Sequence, residues 1–228
     1  MIGIIGAMQV EINELVPLIS NLVEKKINNR VFYVGNIGNS EVVVVECGVG
    51  KVNASITTAM LLENFKIDYI INTGVAGGIG VKPLDLVIGN QLVYHDFDIS
   101  VLGYEKAVIP GLGKIFNTDS NIRILVEDIA KENNVSYKVG NIASGDIFAT
   151  SKDVINGLNM DISAVEMEGC AIAQTCKIYD KPFISIRVIS DVIGSENQEI
   201  SFNMVEKKAA EYASLFVLKI IKKLVLTK

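Results

Sequence analysis

The sequence is short of the residues that several chemistries require. Among its 228 residues there is one histidine, His95, and there are three cysteines, Cys47, Cys170 and Cys176. A lone histidine cannot build a two-histidine metal site, and a hydrolytic triad around it would need a distant nucleophile, so His95 is assigned a structural or interface role. Three cysteines without C-x-x-C spacing argue against both a disulfide framework and a zinc site, leaving reduced thiols that fill the core. Cationic excess is missing as well. The 21 Lys plus Arg stand against 26 Asp plus Glu, a net charge of −5, and no nucleic-acid partner is expected. No apolar run reaches the ~20 residues that a spanning helix needs. The greasiest stretch, 215–226, is interrupted by Lys219, Lys222 and Lys223 and reads as amphipathic, so no membrane partner is expected. The first residues carry no basic leader, which predicts a cytoplasmic protein. No G-x-S-x-G occurs, which disfavours ordinary serine hydrolysis.

Two glycine-rich stretches invite nucleotide chemistry and then fail its requirements. Gly48-Val-Gly-Lys51 looks like the tail of a phosphate loop, but Val45 stands where the first glycine belongs and Val52 where a metal-binding hydroxyl is required. Gly74-Val-Ala-Gly-Gly78 lacks the G-x-G-x-x-G order and opens onto Val81 and Pro83 instead of a helix. Its glycines fit either a close approach of backbone to a ligand or a tight turn.

What is present is core-forming material. Half of the residues are hydrophobic and 21% are charged, without low-complexity segments, so the chain can bury a substantial core. Short apolar runs predict strands at 2–5, 31–34, 42–45, 68–72, 84–93, 139–143, 163–165 and 182–189, with 31–34 and 42–45 forming an antiparallel pair. Helical spacing appears at Ile12, Leu15 and Leu18, with a kink expected at Pro17, and again over 51–65, which carries Ile56, Met60 and Leu61. Further helices are predicted over 120–133, 169–179 and 202–226; the last has an inner stripe of Val205, Ala209, Phe216 and Ile220. Alternating apolar strands and amphipathic helices without a linker predict an α/β sheet covered on both faces, in one domain over 1–228.

Ligands in such sheets bind at the carboxyl ends of strands. Four places qualify: Met8–Glu11, the glycines from Gly74 to Gly80, Glu166–Glu168, and Ser190 with Asp191. The acids are the most telling. Glu166 and Glu168 interrupt the apolar run 164–171, where an unpaired buried charge is costly. In a helix, residues two apart diverge by about 200°, so both acids face one cavity only at the extended end of a strand. Asp191 follows a strand whose apolar run is broken only by Ser185 and Arg187. Two readings stand: an ion pair between Arg187 and one of these acids, with Asp191 capping the next element, or a shared acid cleft.

Together these places resemble the 5′-methylthioadenosine/S-adenosylhomocysteine nucleosidases of the purine nucleoside phosphorylase family. The matching residues are Gly3-Ile-Ile-Gly-Ala-Met8 with Glu11, Gly48-Val-Gly-Lys51, Asn72-Thr-Gly with Ala76-Gly-Gly78, Tyr94-His-Asp96, Ser144-Gly-Asp146 with Phe148, Val165-Glu-Met-Glu168, and Arg187 through Ser190-Asp191. The resemblance implies a three-layer α/β/α sandwich with a mixed central sheet, a homodimer, and hydrolysis of the adenine N-ribosidic bond of adenine thionucleosides, with 5′-deoxyadenosine as a further substrate, and neither cofactor nor metal.

The same resemblance assigns roles. Asp191 matches the acid that protonates adenine N7, with Ser190 orienting it, and Glu11 matches the base that activates water. Glu168 matches the residue that holds the ribose hydroxyls, with Arg187 steadying that carboxylate or the water. Phe148 matches an aromatic stacked on adenine, and the backbone at Ala149 a reader of the purine edge. Met8 and Met167 would pack on the ribose, and Val49 and Phe202 on the thioalkyl group. Val75, Gly77 and Glu166 count among the substrate-binding positions. Ile99, Leu102 and Pro110 match positions supplied by a neighbouring subunit. Relatives commonly carry a hydroxyl residue at the position of Val75, and its loss removes a hydrogen bond to water or ribose.

Overall fold

The computed structural model describes residues 1–224; Val225 and Leu226, assigned above to the closing helix, lie outside them. In chain order the elements begin with β1 (Ile2–Gly6), β2 (Ser20–Ile27), β3 (Arg30–Ile37), β4 (Ser40–Glu46), α1 (Lys51–Asn64), β5 (Tyr69–Gly78) and β6 (Leu86–Tyr94). They continue with β7 (Phe116–Asn117), α2 (Ser120–Glu132), β8 (Tyr137–Ser144), β9 (Ile162–Glu166), α3 (Gly169–Ile178), β10 (Phe183–Val192) and α4 (Gln198–Leu224).

The fold is α/β with one mixed sheet. β1 lies parallel between β4 and β5, and β4, β3 and β2 continue outward as antiparallel neighbours, with 31–34 and 42–45 paired as expected. On its other edge β5 pairs with both β9 and β10, and the path β10–β6–β8–β9 returns to β5, so five strands close into a ring. Successive side chains of β1 serve different cores, as a strand's alternation requires. Ile4 joins Val44, Ile184 and Phe216 on the side of α2 and α4. Ile5 joins Val43, Leu61 and Ile172 on the side of α1 and α3. Helices therefore cover both faces, the condition under which strands can be apolar throughout.

The structure departs locally from the expected elements. The helix on Ile12, Leu15 and Leu18 is two 3₁₀ turns, Gln9–Glu11 and Val16–Leu18. Pro17 sits at the start of the second turn, where its missing N–H has no helical partner to lose, so it opens a turn instead of kinking a helix. Ile12 and Leu15 are fully buried, whereas Leu18 is exposed. β2 escapes a periodicity search because it is an exposed edge strand carrying Glu24, Lys25 and Lys26, charges that suit an edge. Ile56, at core spacing on α1, is exposed. Finally, β5 runs on through the glycines, where Gly77 and Gly78 pair with β9, and β10 runs on through Ser190 and Asp191, where Asp191 and Val192 stay paired with β5.

Candidate active site

The four strand-end places meet at one cavity of about 240 Å³. Met8, Glu11, Val49, Val75, Gly77, Phe148, Ala149, Glu166, Met167, Glu168, Ser190, Asp191 and Phe202 all line it. Ala7, Ala76 and Val165, which stand in the matching motifs without an assigned role, also line it, as do Ile147, Ile193 and Gln198, which the sequence does not single out. Most of these are apolar residues indistinguishable from core by sequence. Gln198 stands in a polar stretch after Asp191, and nothing in its spacing marks it. Arg187 is not a lining residue: it is fully buried behind the wall. Ile99, Leu102 and Pro110 lie elsewhere, in the segment between β6 and β7, and Leu102 is exposed.

Glu11 is placed by the tight turn after β1. Its Oε2 accepts from the N–H groups of Ala7 at 2.6 Å and Met8 at 3.0 Å, and its Oε1 from Val75 N–H at 2.9 Å. Ser214 Oγ, from α4, donates to the Glu11 carbonyl at 2.5 Å. Burial raises the Glu11 pKa above its ordinary value, against the opposing pull of Arg187 and the three N–H donors. Gly74 makes room for this side chain, since a Cβ there would collide with both the Glu11 carboxylate and the Arg187 guanidinium.

The pair Glu166 and Glu168 is split by the change from β9 to α3. Glu166, the last residue of β9, is fully engaged. Arg187 Nη2 donates to its Oε2 at 2.5 Å, the N–H groups of Glu168 and Gly169 add bonds of 3.0 and 2.7 Å, and Ser144 Oγ donates to Oε1. It is an anion at a helix N-terminus, paired with an arginine. Arg187 Nη2 also reaches Asn72 Oδ1 at 2.5 Å. The structural ion pair and the acid cleft thus coexist, with Arg187 bonded to Glu166 and not to Glu168. Glu168 takes a single bond, from Gly50 N–H at 2.8 Å, made possible by a glycine φ of +98°. Burial, together with the Glu166 charge, pushes its pKa up to about 8. Both acids face the cavity because they straddle an extended strand end.

Asp191 does not cap the next element. A bulge in β10 between Ile189 and Asp191 leaves Ser190 without a register partner, and Asp191 lies opposite Gly77. The bulge lets two consecutive side chains share one face: Ser190 Oγ donates to Asp191 Oδ1 at 2.6 Å and both line the cavity. Gln198 Nε2 donates to Asp191 Oδ2 at 2.7 Å. At the mouth, Phe148 and Phe202 meet edge to face with centroids 5.4 Å apart. His95 is buried, its pKa lowered by burial, and it packs under Gly145 away from the cavity wall.

Four buried carboxyl groups in differing environments, one of them held in an ion pair, set in a largely apolar cavity, are equipment for moving protons around a polar ligand. Known proteins carry the same arrangement of elements. Residues 1–222 match the phosphorylase superfamily. Over 228 residues the chain is 40% identical to the 5′-methylthioadenosine/S-adenosylhomocysteine nucleosidase of Haemophilus influenzae (strain PittEE), covering 98% of this chain and 99% of that one. The chain belongs to this nucleosidase family, within the phosphorylase superfamily. The nucleosidase of Neisseria meningitidis, solved in complex with methylthio-immucillin-A, superposes with a TM-score of 0.93 at 34% identity, covering 97% of this chain and 98% of the other. The futalosine hydrolase of Helicobacter pylori superposes with a TM-score of 0.92 at 31% identity, covering 97% of each chain. Membership of this nucleosidase family accounts for the mixed sheet layered by helices.

Proposed function

We propose that this protein is an N-glycosyl hydrolase that releases adenine from 5′-methylthioadenosine and S-adenosylhomocysteine. The observation that carries the reading is the convergence of Glu11, Glu168 and Asp191, from three distant parts of the chain, on one cavity.

Adenine is a poor anionic leaving group, so the base must gain a proton as the ribose develops oxocarbenium character. Asp191, oriented by Ser190, delivers that proton to N7. Glu11 takes a proton from the attacking water, and its raised pKa makes it the stronger acceptor for that task. Glu168, with its pKa pushed up to about 8, can donate to a ribose hydroxyl when protonated; ionised, it offsets positive charge on the sugar. Glu166 keeps Arg187 and the first turn of α3 in place, which sets Glu168 at the cavity wall. Phe148 lies on the adenine face and the Ala149 backbone reads its edge. Met8 and Met167 contact the ribose, and Val49 and Phe202 the apolar thioalkyl group.

Hydrolysis is favoured over phosphorolysis by the arginines. All three are committed within the protein: Arg187 to Glu166, Arg30 to Asn53 and Arg123 to Glu127. None is left to gather a phosphate nucleophile. The exposed Val101 (92%) and Leu102 (71%) support a homodimer whose second subunit supplies Ile99, Leu102 and Pro110 to the cavity mouth. A single domain over 1–228 and a cytoplasmic location complete the proposal. Among the described residues no helix is long and apolar enough to cross a membrane.

The deciding assay incubates pure protein with methylthioadenosine with and without phosphate. Free adenine and methylthioribose in phosphate-free buffer support hydrolysis. A sugar phosphate formed only with phosphate would make the protein a phosphorylase, and unchanged substrate would reduce it to a binding protein.

A further inference from the structure

Gln198, the first residue of α4, has no part in the hydrolytic scheme, yet both ends of its amide are hydrogen-bonded at the cavity wall. It is 6% exposed. Its Nε2 donates to Asp191 Oδ2 at 2.7 Å and to the Ala149 carbonyl at 2.8 Å, and its Oε1 accepts from Gly194 N–H at 3.0 Å. The two backbone partners fix the orientation of the amide, since a carbonyl only accepts and an N–H only donates, and this turns the amide nitrogen toward Asp191 Oδ2.

The two acceptors that share the Gln198 nitrogen are the groups assigned above to the base, Asp191 at N7 and the Ala149 backbone at the purine edge. One NH₂ group bridging them is the donor that the exocyclic amine of a 6-aminopurine presents. We propose that Gln198 is a positioning residue that acts as a tethered stand-in for the base's amine: it holds Asp191 and the Ala149 carbonyl at binding geometry until the incoming base displaces it. This inference rests on the reading of the cavity as an adenine site. The tether is short, with Asp191 at the end of β10 and Gln198 at the start of α4, joined through Gly194 at φ +76° and Asn197 at φ +57°. Because base and side chain compete for the same acceptors, the apparent dissociation constant of the base rises by the inverse of the fraction of molecules in which Gln198 has withdrawn.

Titration calorimetry tests this with adenine, and with unsubstituted purine as a base lacking the amine, on wild-type protein, Gln198→Ala and the near-isosteric Gln198→Met. The expected result is an adenine Kd about 3- to 10-fold lower in both variants, the worth of an ordinary hydrogen bond removed from the competitor, with a clearly smaller gain for purine. Unchanged or weaker adenine binding in the folded variants overturns the proposal. An equal gain for both bases also overturns it, because Gln198 would then be a plain steric plug. Should the alanine variant fail to fold, the methionine variant decides. A crystal structure of the wild-type adenine complex decides independently: Gln198 still bonded to Asp191 and Ala149 would end the idea. Wild-type protein that binds no adenine brings down the site reading itself, whereas adenine binding untouched by either variant brings down the role of Gln198 alone.

Discussion

Arg187 and Glu166 form an ion pair at 2.5 Å in which the two side chains are 1% and 3% exposed. Arg187 lies behind the cavity wall that Glu166 helps to line, and each partner has further bonds inside the protein, Arg187 to Asn72 and Glu166 to the start of α3. Removing one member leaves the other charged and without water. Glu166→Gln is therefore expected to cost about 3–5 kcal/mol of folding stability. Urea unfolding at pH 7 measures it, and a loss under about 1 kcal/mol would show that Glu11 and Glu168 hold Arg187 adequately without its partner.

Asp191→Asn keeps the side-chain volume and an acceptor for Ser190 but supplies no acidic proton. Adenine release should fall by about 10²–10⁴ in kcat, the usual worth of a general acid, with the thermal midpoint little changed. Steady-state assay alongside thermal unfolding separates the two effects, and near-normal turnover would remove Asp191 from the chemistry.

Gly74→Ala tests the space around the base. The added methyl would run into the Glu11 carboxylate and the Arg187 guanidinium, so something must move. A stability loss of about 1–3 kcal/mol is expected from overpacking, with a larger proportional loss in kcat than in KM as Glu11 leaves its position. Equal activity of the two proteins would mean that the carboxylate has freedom that its three backbone donors do not suggest.

Glu168 gives the stability of the protein a pH dependence of definite sign. The folded state holds this proton up to about pH 8, whereas the ordinary value is 4.5, so folding takes up a proton across that window. Stability therefore falls as pH rises from about 4.5 to 8. Glu11, with its pKa also raised by burial, contributes in the same direction. The thermal midpoint of wild-type protein should decline over this range, and Glu168→Gln should decline less. Parallel curves would mean that Glu168 is ionised throughout.

Much of this site could be seen in the sequence because its acids interrupt apolar runs, where a charge without a purpose is expensive. Glu168 is legible in that way, Glu11 and Asp191 as polar residues just past strand ends, and the resemblance supplies their grouping. The partner of Arg187 was not legible. Glu166 and Glu168 are two residues apart, and only the start of α3, with its unpaired N–H groups facing Glu166, decides which of them becomes the structural anion. Gln198 was missed because a polar residue among Ser195, Glu196, Asn197 and Glu199 looks like solvent-exposed loop. The strand β2 was missed for the opposite reason to the core strands, since its pattern is that of an edge. The ring of strands was out of reach because the pairing of β10 with β5 joins segments far apart in the chain, and such pairing leaves no local period.

The bond from Ser214 to Glu11 spans 203 positions. Together with the late strand β10, it ties the start of the chain to its final helix at the cavity itself. A polypeptide emerging from the ribosome therefore cannot assemble this constellation in stages: the residue near position 11 waits for the helix beyond position 198. Contacts of such long reach slow folding and leave a growing chain without a partial version of the site. Activity should consequently arrive all at once, after α4 has been made, and truncations that remove α4 should abolish it outright instead of weakening it by degrees.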